Sequence, residues 1–259
     1  MSQENNQDNN FENEFYVGYG EMPKKDRRFL LAAVPTGLIG LAGAGALLGP
    51  RAGSAGGGRW ETATPVTLRG RIGFHPYPTL WVDGTGHVIA GIGKKGADSF
   101  CKKFEGQNVE LTGVKIVRNG CFMLGVAEGD IKPIQQSMPT IPQASFVQDV
   151  SIFGEVLDAQ CFMGVMNPGY GRTHRGCAAL CIRGGQPVFF SVGVRKQDQA
   201  LGTQTCGGNG YLLANAAGDK INAEILNQVA VPVTIDAKLE KIGNLHRLIY
   251  KTGSLKRLS

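Results

Sequence analysis

Segments that alternate apolar and polar residues dominate the chain after residue 65 and predict β-strands. They form two series of the same order: three strands, a short helix and two strands. The first series has predicted strands at 66–74, 79–83, 86–91, 107–118 and 121–127, with a helix near 96–104. The second has strands near 149–157, 187–194, 210–214, 231–241 and 245–252, with a helix at 219–228. This is the element order of the oligonucleotide/oligosaccharide-binding (OB) fold, a five-stranded Greek-key barrel. We therefore expect a mainly β protein with two tandem OB-like barrels, at 65–135 and 146–257. A generic sandwich or an unrelated β meander is the alternative.

The amino-terminal part departs from this pattern. Residues 29–49 are 21 consecutive residues without a charge, a length that predicts a single transmembrane helix. Residues 1–28 form an acidic tail with a basic flank, since 1–23 hold five acidic residues and no Lys or Arg, whereas 24–28 hold four basic residues. By the positive-inside rule we expect a single-pass protein of the bacterial inner membrane, with a cytoplasmic tail. The barrels, after a Gly-rich linker at 50–64, would then be periplasmic. A twin-arginine signal or a buried soluble helix are the alternatives.

Three of the six cysteines and one of the four histidines fall in one insertion, 157–185, between the first two predicted strands of the second barrel. Within it the sequence reads H-x2-C-x3-C. On an α-helix His174, Cys177 and Cys181 fall within roughly 60° of one another, because each residue advances about 100°. Cys161 lies upstream, beyond a loop. We expect the first barrel, which lacks such an insertion, to be a scaffold or spacer.

Three chemistries suit this cluster. Cys161, His174, Cys177 and Cys181 are a tetrahedral ligand set for zinc, and thiolates also suit copper and iron centres. Arg172, Arg175 and Arg183 would favour thiolates there. Alternatively, one disulfide would join Cys161 to Cys177 or Cys181, and a second would join Cys206 to the remaining cysteine. Oxidation of thiols is the default outside the cytoplasm. The third is covalent catalysis with His174 as base, for which no orienting residue is evident.

The second barrel also resembles a known group of proteins. The matching positions are Gly154, Asp158, Cys161, His174, Cys177, Cys181, Ile182 and Gly184. They resemble the D-x2-C…H-x2-C-x3-C motif of a family of exported or membrane-anchored bacterial OB-like domains of uncharacterised function. The resemblance covers about 110 residues from Val150 onward, and it implies export and a barrel rather than a particular mechanism.

The net charge of +6 and the barrel fold together raise the possibility of single-stranded nucleic-acid binding. Export argues against it, and Trp81, Phe189, Phe190 and Tyr211 are at strand positions where core packing is expected. We therefore expect no nucleic-acid partner and no enzymatic activity. The expected function is that of a metal- or redox-cofactor-binding accessory protein of a membrane electron-transfer or assembly complex. The alternative is a disulfide-stapled interaction module without a cofactor.

Overall fold

The computed structural model describes residues 24–48, 58–118, 121–166, 169–192, 210–221 and 223–258. The chain divides into two compact units, 1–54 and 55–259. In the first unit, helix α1 (Lys24–Leu48) covers nearly all of the predicted apolar segment and includes Pro35. Within the described ranges, no helix combines the length and the apolar character needed to cross a membrane. The predicted transmembrane segment is therefore not confirmed.

The second unit begins with a closed five-stranded barrel. Its elements are β1 (Arg59–Phe74), β2 (Pro78–Val82), β3 (Thr85–Gly91), α2 (Asp98–Cys101) with a 3-10 turn (Lys102–Phe104), β4 (Asn108–Arg118) and β5 (Cys121–Val126). The strands pair in the order β1-β2-β3-β5-β4, and β4 pairs back with β1 to close the sheet. The β3–β5 pair is parallel, as in the OB fold. A short strand β6 (Ile131–Pro133) lies beside β4.

A second barrel repeats this topology. It consists of β7 (Ser145–Asp158), a π-helical turn (Cys161–Val165), α3 (Arg175–Arg183), β8 (Val188–Val192), β9 (Gly210–Ala214), a 3-10 helix (Ala223–Gln228), β10 (Pro232–Ile242), β11 (Leu245–Tyr250) and β12 (Lys256–Arg257). The order β11-β9-β8-β7-β10 closes through a β10–β11 pair, and the β9–β11 pair is parallel. The predicted pair of five-stranded barrels is thus confirmed.

The alternation along the strands explains why these segments form barrels. In β10, Val233, Ile235, Ala237 and Leu239 point inward and are buried, while Asp236 and Lys238 between them are exposed. A shift of one residue in register would turn that apolar set to solvent, so the pattern fixes the pairing. The predicted boundaries differ mainly at β1 and β7, which begin several residues earlier, and at the helix of 219–228, which is a 3-10 helix over Ala223–Gln228.

The hydrophobic core of the second barrel extends onto the first barrel, which also has a separate core of its own. Tyr77 and Trp81 of the first barrel are buried in the same cluster as Phe189, Phe190 and Tyr211 of the second, so the aromatic residues pack in the core as expected. The Tyr77 hydroxyl donates a hydrogen bond to the carbonyl of Leu213 at 3.0 Å. Because this contact area is apolar and buried, it holds loops of the first barrel in fixed positions against the second.

Candidate metal centre

The insertion lies between β7 and β8, as predicted, and it brings three thiols together. Cys161 begins the π-helical turn that follows β7, and Cys177 and Cys181 lie one turn apart on α3. Asp158, the last residue of β7, accepts a hydrogen bond from the backbone N–H of Cys161 at 2.9 Å and so fixes the start of that turn. Residues from two separate segments therefore converge on one point.

The spacing of the sulfur atoms matches a metal site. The Sγ atom of Cys161 lies 3.8 Å from that of Cys177 and 4.0 Å from that of Cys181. All three sulfurs lie within 4.8 Å of one another. Zinc–thiolate bonds of 2.3 Å in tetrahedral geometry place sulfur atoms about 3.8 Å apart. Cys161 and Cys181 are buried and Cys177 is partly exposed. The three thiols can therefore bind one ion with little movement of the backbone.

His174 lies at the start of the helix that carries Cys177 and Cys181. It is the N-cap residue of α3, with backbone angles in the right-handed helical region, and its carbonyl accepts a hydrogen bond from the N–H of Ala178 at 3.0 Å. Its Nε2 atom lies 2.8 Å from Oδ2 of Asp158, and neither side chain is exposed. Asp158, Cys161 and His174 form a second group of possible ligands, all within 4.8 Å. Cys161 thus belongs to both groups.

The second ring nitrogen of His174, Nδ1, is the one that could bind a metal. Nδ1 is buried and has no hydrogen-bond partner among the described residues. A histidine that binds a metal through one nitrogen commonly holds a carboxylate with the other, which fixes the tautomer and the ring orientation. The Asp158–His174 pair has this arrangement, although His174 is grouped with Asp158 and Cys161 and not with Cys177 and Cys181.

Hydrogen bonding shifts the pKa values of two of the thiols in opposite directions. The pKa of Cys161 is raised well above its ordinary value because its thiol donates to Cys181 and is buried near Asp158. The pKa of Cys181 is lowered because it accepts that hydrogen bond, and the positive charge of Lys94 adds to the effect. Cys181 is therefore the thiol that loses its proton first in this pair, and a soft cation binds most readily to a thiolate.

A lysine, Lys94, lies beside the sulfur atoms, and the sequence pattern did not predict it. Lys94 lies in the loop after β3 of the first barrel, and its Nζ atom is 3.0 Å from Sγ of Cys177. The predicted role of the three arginines is not confirmed, since Arg175 donates instead to the carbonyl of Asn227. The first barrel, which we expected to be a scaffold or spacer, also places a charged group beside the cluster. A separation of 83 residues in sequence left no local signal.

The structure supplies an orienting residue for cysteine catalysis that the sequence did not indicate. The sequence offered no residue to orient His174, yet Asp158 occupies that position. The set Asp158, His174 and Cys161 thus has the residue types of a catalytic triad. However, Cys161 is only 2% exposed and its pKa is raised, so its sulfur is neither accessible to a substrate nor activated as a nucleophile. The geometry fits ligand binding better than nucleophilic attack.

Disulfides are absent among the cysteines whose side chains the structure describes. Cys101, Cys161, Cys177 and Cys181 are free. A disulfide requires sulfur atoms about 2.05 Å apart, considerably less than the distances observed here. Cys206, the predicted partner of the remaining thiol, lies outside the described residues.

Comparison with protein-family models, with curated proteins and with solved structures finds no match to this chain. The resemblance to exported OB-like domains therefore stays a prediction. The class that the fold and the cluster define is a tandem OB-like barrel protein with a buried thiol cluster in its second barrel.

Proposed function

We propose that the second barrel binds one thiophilic transition-metal ion. Cys161, Cys177 and Cys181 supply three thiolate ligands, and His174, which is grouped with Cys161 and Asp158, is proposed as the fourth. The observation that carries the proposal is the set of Sγ–Sγ distances, 3.8 and 4.0 Å, between free thiols that come from two segments. Three cysteines and one histidine form a closed tetrahedral set of the kind found in structural zinc sites.

The burial of the cluster supports a closed site rather than a catalytic one. Cys161 and Cys181 are 2% and 1% exposed, and His174 is fully buried. A catalytic metal site keeps one coordination position open to water or substrate. With four protein ligands and one partly exposed edge at Cys177, the bound ion would stabilise the insertion or pass electrons, and it would not activate water. This supports the expectation of a non-enzymatic protein.

Cobalt(II) titration of the full-length chain, purified anaerobically with its thiols reduced, tests this proposal. We expect one equivalent to give thiolate-to-cobalt charge-transfer absorption and the intense visible bands of tetrahedral cobalt. Cys177→Ser should weaken the charge-transfer absorption, and His174→Ala should alter the visible bands. Cys101→Ala removes a buried thiol of the first barrel and should leave both unchanged. Wild-type protein without these bands would refute the proposal.

A redox-active disulfide is the second candidate function, and the 3.8 Å separation of Cys161 and Cys177 favours it. These two sulfur atoms have to approach by roughly 1.8 Å to bond. Counting free thiols in aerobically purified, denatured protein separates the two functions. A Cys161–Cys177 disulfide that survives in the presence of metal supports the second candidate, and three free thiols at the cluster support the first.

A membrane location is a separate proposal. It is supported by the uncharged segment of residues 29–49 beside the basic cluster of residues 24–28. Anchored there, the metal centre would serve a membrane electron-transfer or assembly complex. Fractionation of cells that express the full-length chain tests the anchor. Retention in the membrane pellet after alkaline carbonate extraction is expected, and release into the supernatant would contradict the anchor.

A further inference from the structure

The loop that joins β3 to α2 in the first barrel lies directly against the cysteine cluster. The Nζ atom of Lys94 is 3.0 Å from Sγ of Cys177 and 3.9 Å from Sγ of Cys181. Among the described side chains, Lys94 is the cation that hydrogen bonds these sulfur atoms. The Lys94 side chain is exposed, and Cys177 is the partly exposed thiol of the cluster.

Buried amide side chains of the second barrel hold this loop in place. The Nε2 atom of Gln186 donates to the carbonyls of Gly91, Gly93 and Lys95 at 3.0, 3.2 and 2.7 Å. Gln160, also buried, donates to the same Gly91 carbonyl at 2.9 Å. The Gln186 side chain is fully buried, so breaking these bonds would leave polar groups without water.

The backbones of the two barrels are also in close contact at this loop. The N–H of Gly96 donates to the carbonyl of Gly184 at 2.8 Å. A Cβ atom on Gly184 would lie 1.9 Å from the Lys94 carbonyl, and one on Gly96 would lie 2.0 Å from the Gly185 carbonyl. Only glycine allows so close an approach. The backbone of Lys94 is therefore fixed relative to α3, although its side chain is exposed.

The net charge of the metal-bound cluster explains why a lysine at position 94 matters. Three thiolates and a divalent ion carry a net charge of −1, whereas the metal-free cluster with three neutral thiols carries none. A fixed positive charge at hydrogen-bonding distance therefore stabilises the metal-bound state more than the metal-free state. We propose that Lys94 is a charge-compensating residue of the metal centre, so that the two barrels build the site jointly. This inference rests on the proposed metal-binding function.

Gln186 is the positioning residue in this arrangement. It contacts none of the sulfur atoms, but it binds both sides of the Lys94 loop, and its own backbone N–H donates to the carbonyl of Cys181 at 3.0 Å. Loss of the Gln186 side chain would release the loop and weaken the contact between Lys94 and Cys177. The two residues should therefore act on metal affinity through one shared interaction.

Zinc affinity of the full-length chain, measured by competition with a chromophoric chelator, tests the role of Lys94. Lys94→Met keeps the length of the side chain and removes the charge, and it should weaken zinc binding about tenfold, the scale of one charged hydrogen bond. Lys94→Arg should restore most of the affinity. Lys95→Met, which changes the net charge equally in the adjacent position, should bind zinc as the wild type does.

A double-mutant cycle tests the positioning role. Gln186→Ala should weaken zinc binding, and adding Lys94→Met to it should cause little further loss, because coupled residues are not additive. Circular dichroism checks that each variant folds. Wild-type protein that binds no zinc would refute the proposed function. Wild-type protein that binds zinc, with Lys94→Met and Lys95→Met equal in affinity, would overturn only the role of Lys94.

Discussion

Nε2 of His174 lies 2.8 Å from Oδ2 of Asp158, and both side chains are completely buried. The other carboxylate oxygen of Asp158 accepts a hydrogen bond from the N–H of Cys161. One side chain at the end of β7 thus orients both the histidine before α3 and the cysteine of the π-helical turn. Asp158 thereby connects both parts of the proposed ligand set.

Asp158→Asn tests this connection with almost no change in volume. The amide oxygen can still accept from Cys161, but the charge beside His174 is lost. We expect zinc affinity to fall about 10- to 100-fold, the range for outer partners of metal ligands. Asp149→Asn, which alters an exposed carboxylate 3.8 Å from Lys251, is the control and should leave zinc affinity unchanged. Equal affinity of the two variants would exclude an orienting role.

The contact between the barrels predicts opposite effects of alanine at two glycines of one region. Gly184→Ala puts a methyl group against the Lys94 carbonyl and should lower the free energy of unfolding by about 1–3 kcal/mol. Gly176→Ala places a methyl group in open space on α3 and should raise it by about 0.5–1 kcal/mol. Chemical denaturation measures both. If Gly184→Ala is as stable as the wild type, the barrels do not pack as described.

The exposure of the thiols predicts their order of reaction. Cys177 is partly exposed, whereas Cys101, Cys161 and Cys181 are at most 2% exposed. In reduced, metal-free protein, N-ethylmaleimide should modify Cys177 before these three, and zinc should protect it. Peptide mass spectrometry over a time course gives the order. Modification of Cys101 or Cys161 ahead of Cys177 would contradict the burial of the cluster.

The local part of the site was predictable and the long-range part was not. The H-x2-C-x3-C spacing placed Cys177 and Cys181 one helical turn apart, and the strand pattern placed the insertion correctly between two barrel strands. The spacing also placed His174 at the start of α3, but it gave no sign that the imidazole binds Asp158 at the end of β7. The position of Lys94 beside the cluster could not be predicted, because it depends on how one barrel packs against the other. No periodicity in the sequence encodes that contact.

Cys101 predicts a dependence of stability on alkaline pH. Burial raises the pKa of this thiol from 9.0 to about 12. The unfolded chain then loses a proton above pH 9 that the folded chain keeps until about pH 12, so the stabilisation present below pH 9 declines between these values. Relative to Cys101→Ala, the wild type should lose about 1.4 kcal/mol of unfolding free energy per pH unit in this window. Urea denaturation at pH 8, 9, 10 and 11 measures the difference, and parallel curves would contradict a buried, protonated thiol.

The central claim is that one metal ion binds where three thiols converge. The most direct test is native mass spectrometry of the full-length chain, reduced and titrated anaerobically with zinc, in comparison with the double variant Cys177→Ser/Cys181→Ser and with Cys101→Ala. We predict one zinc ion per chain for the wild type and for Cys101→Ala, and none for the double variant. A wild-type chain without zinc, or a double variant with as much zinc as the wild type, would contradict the claim.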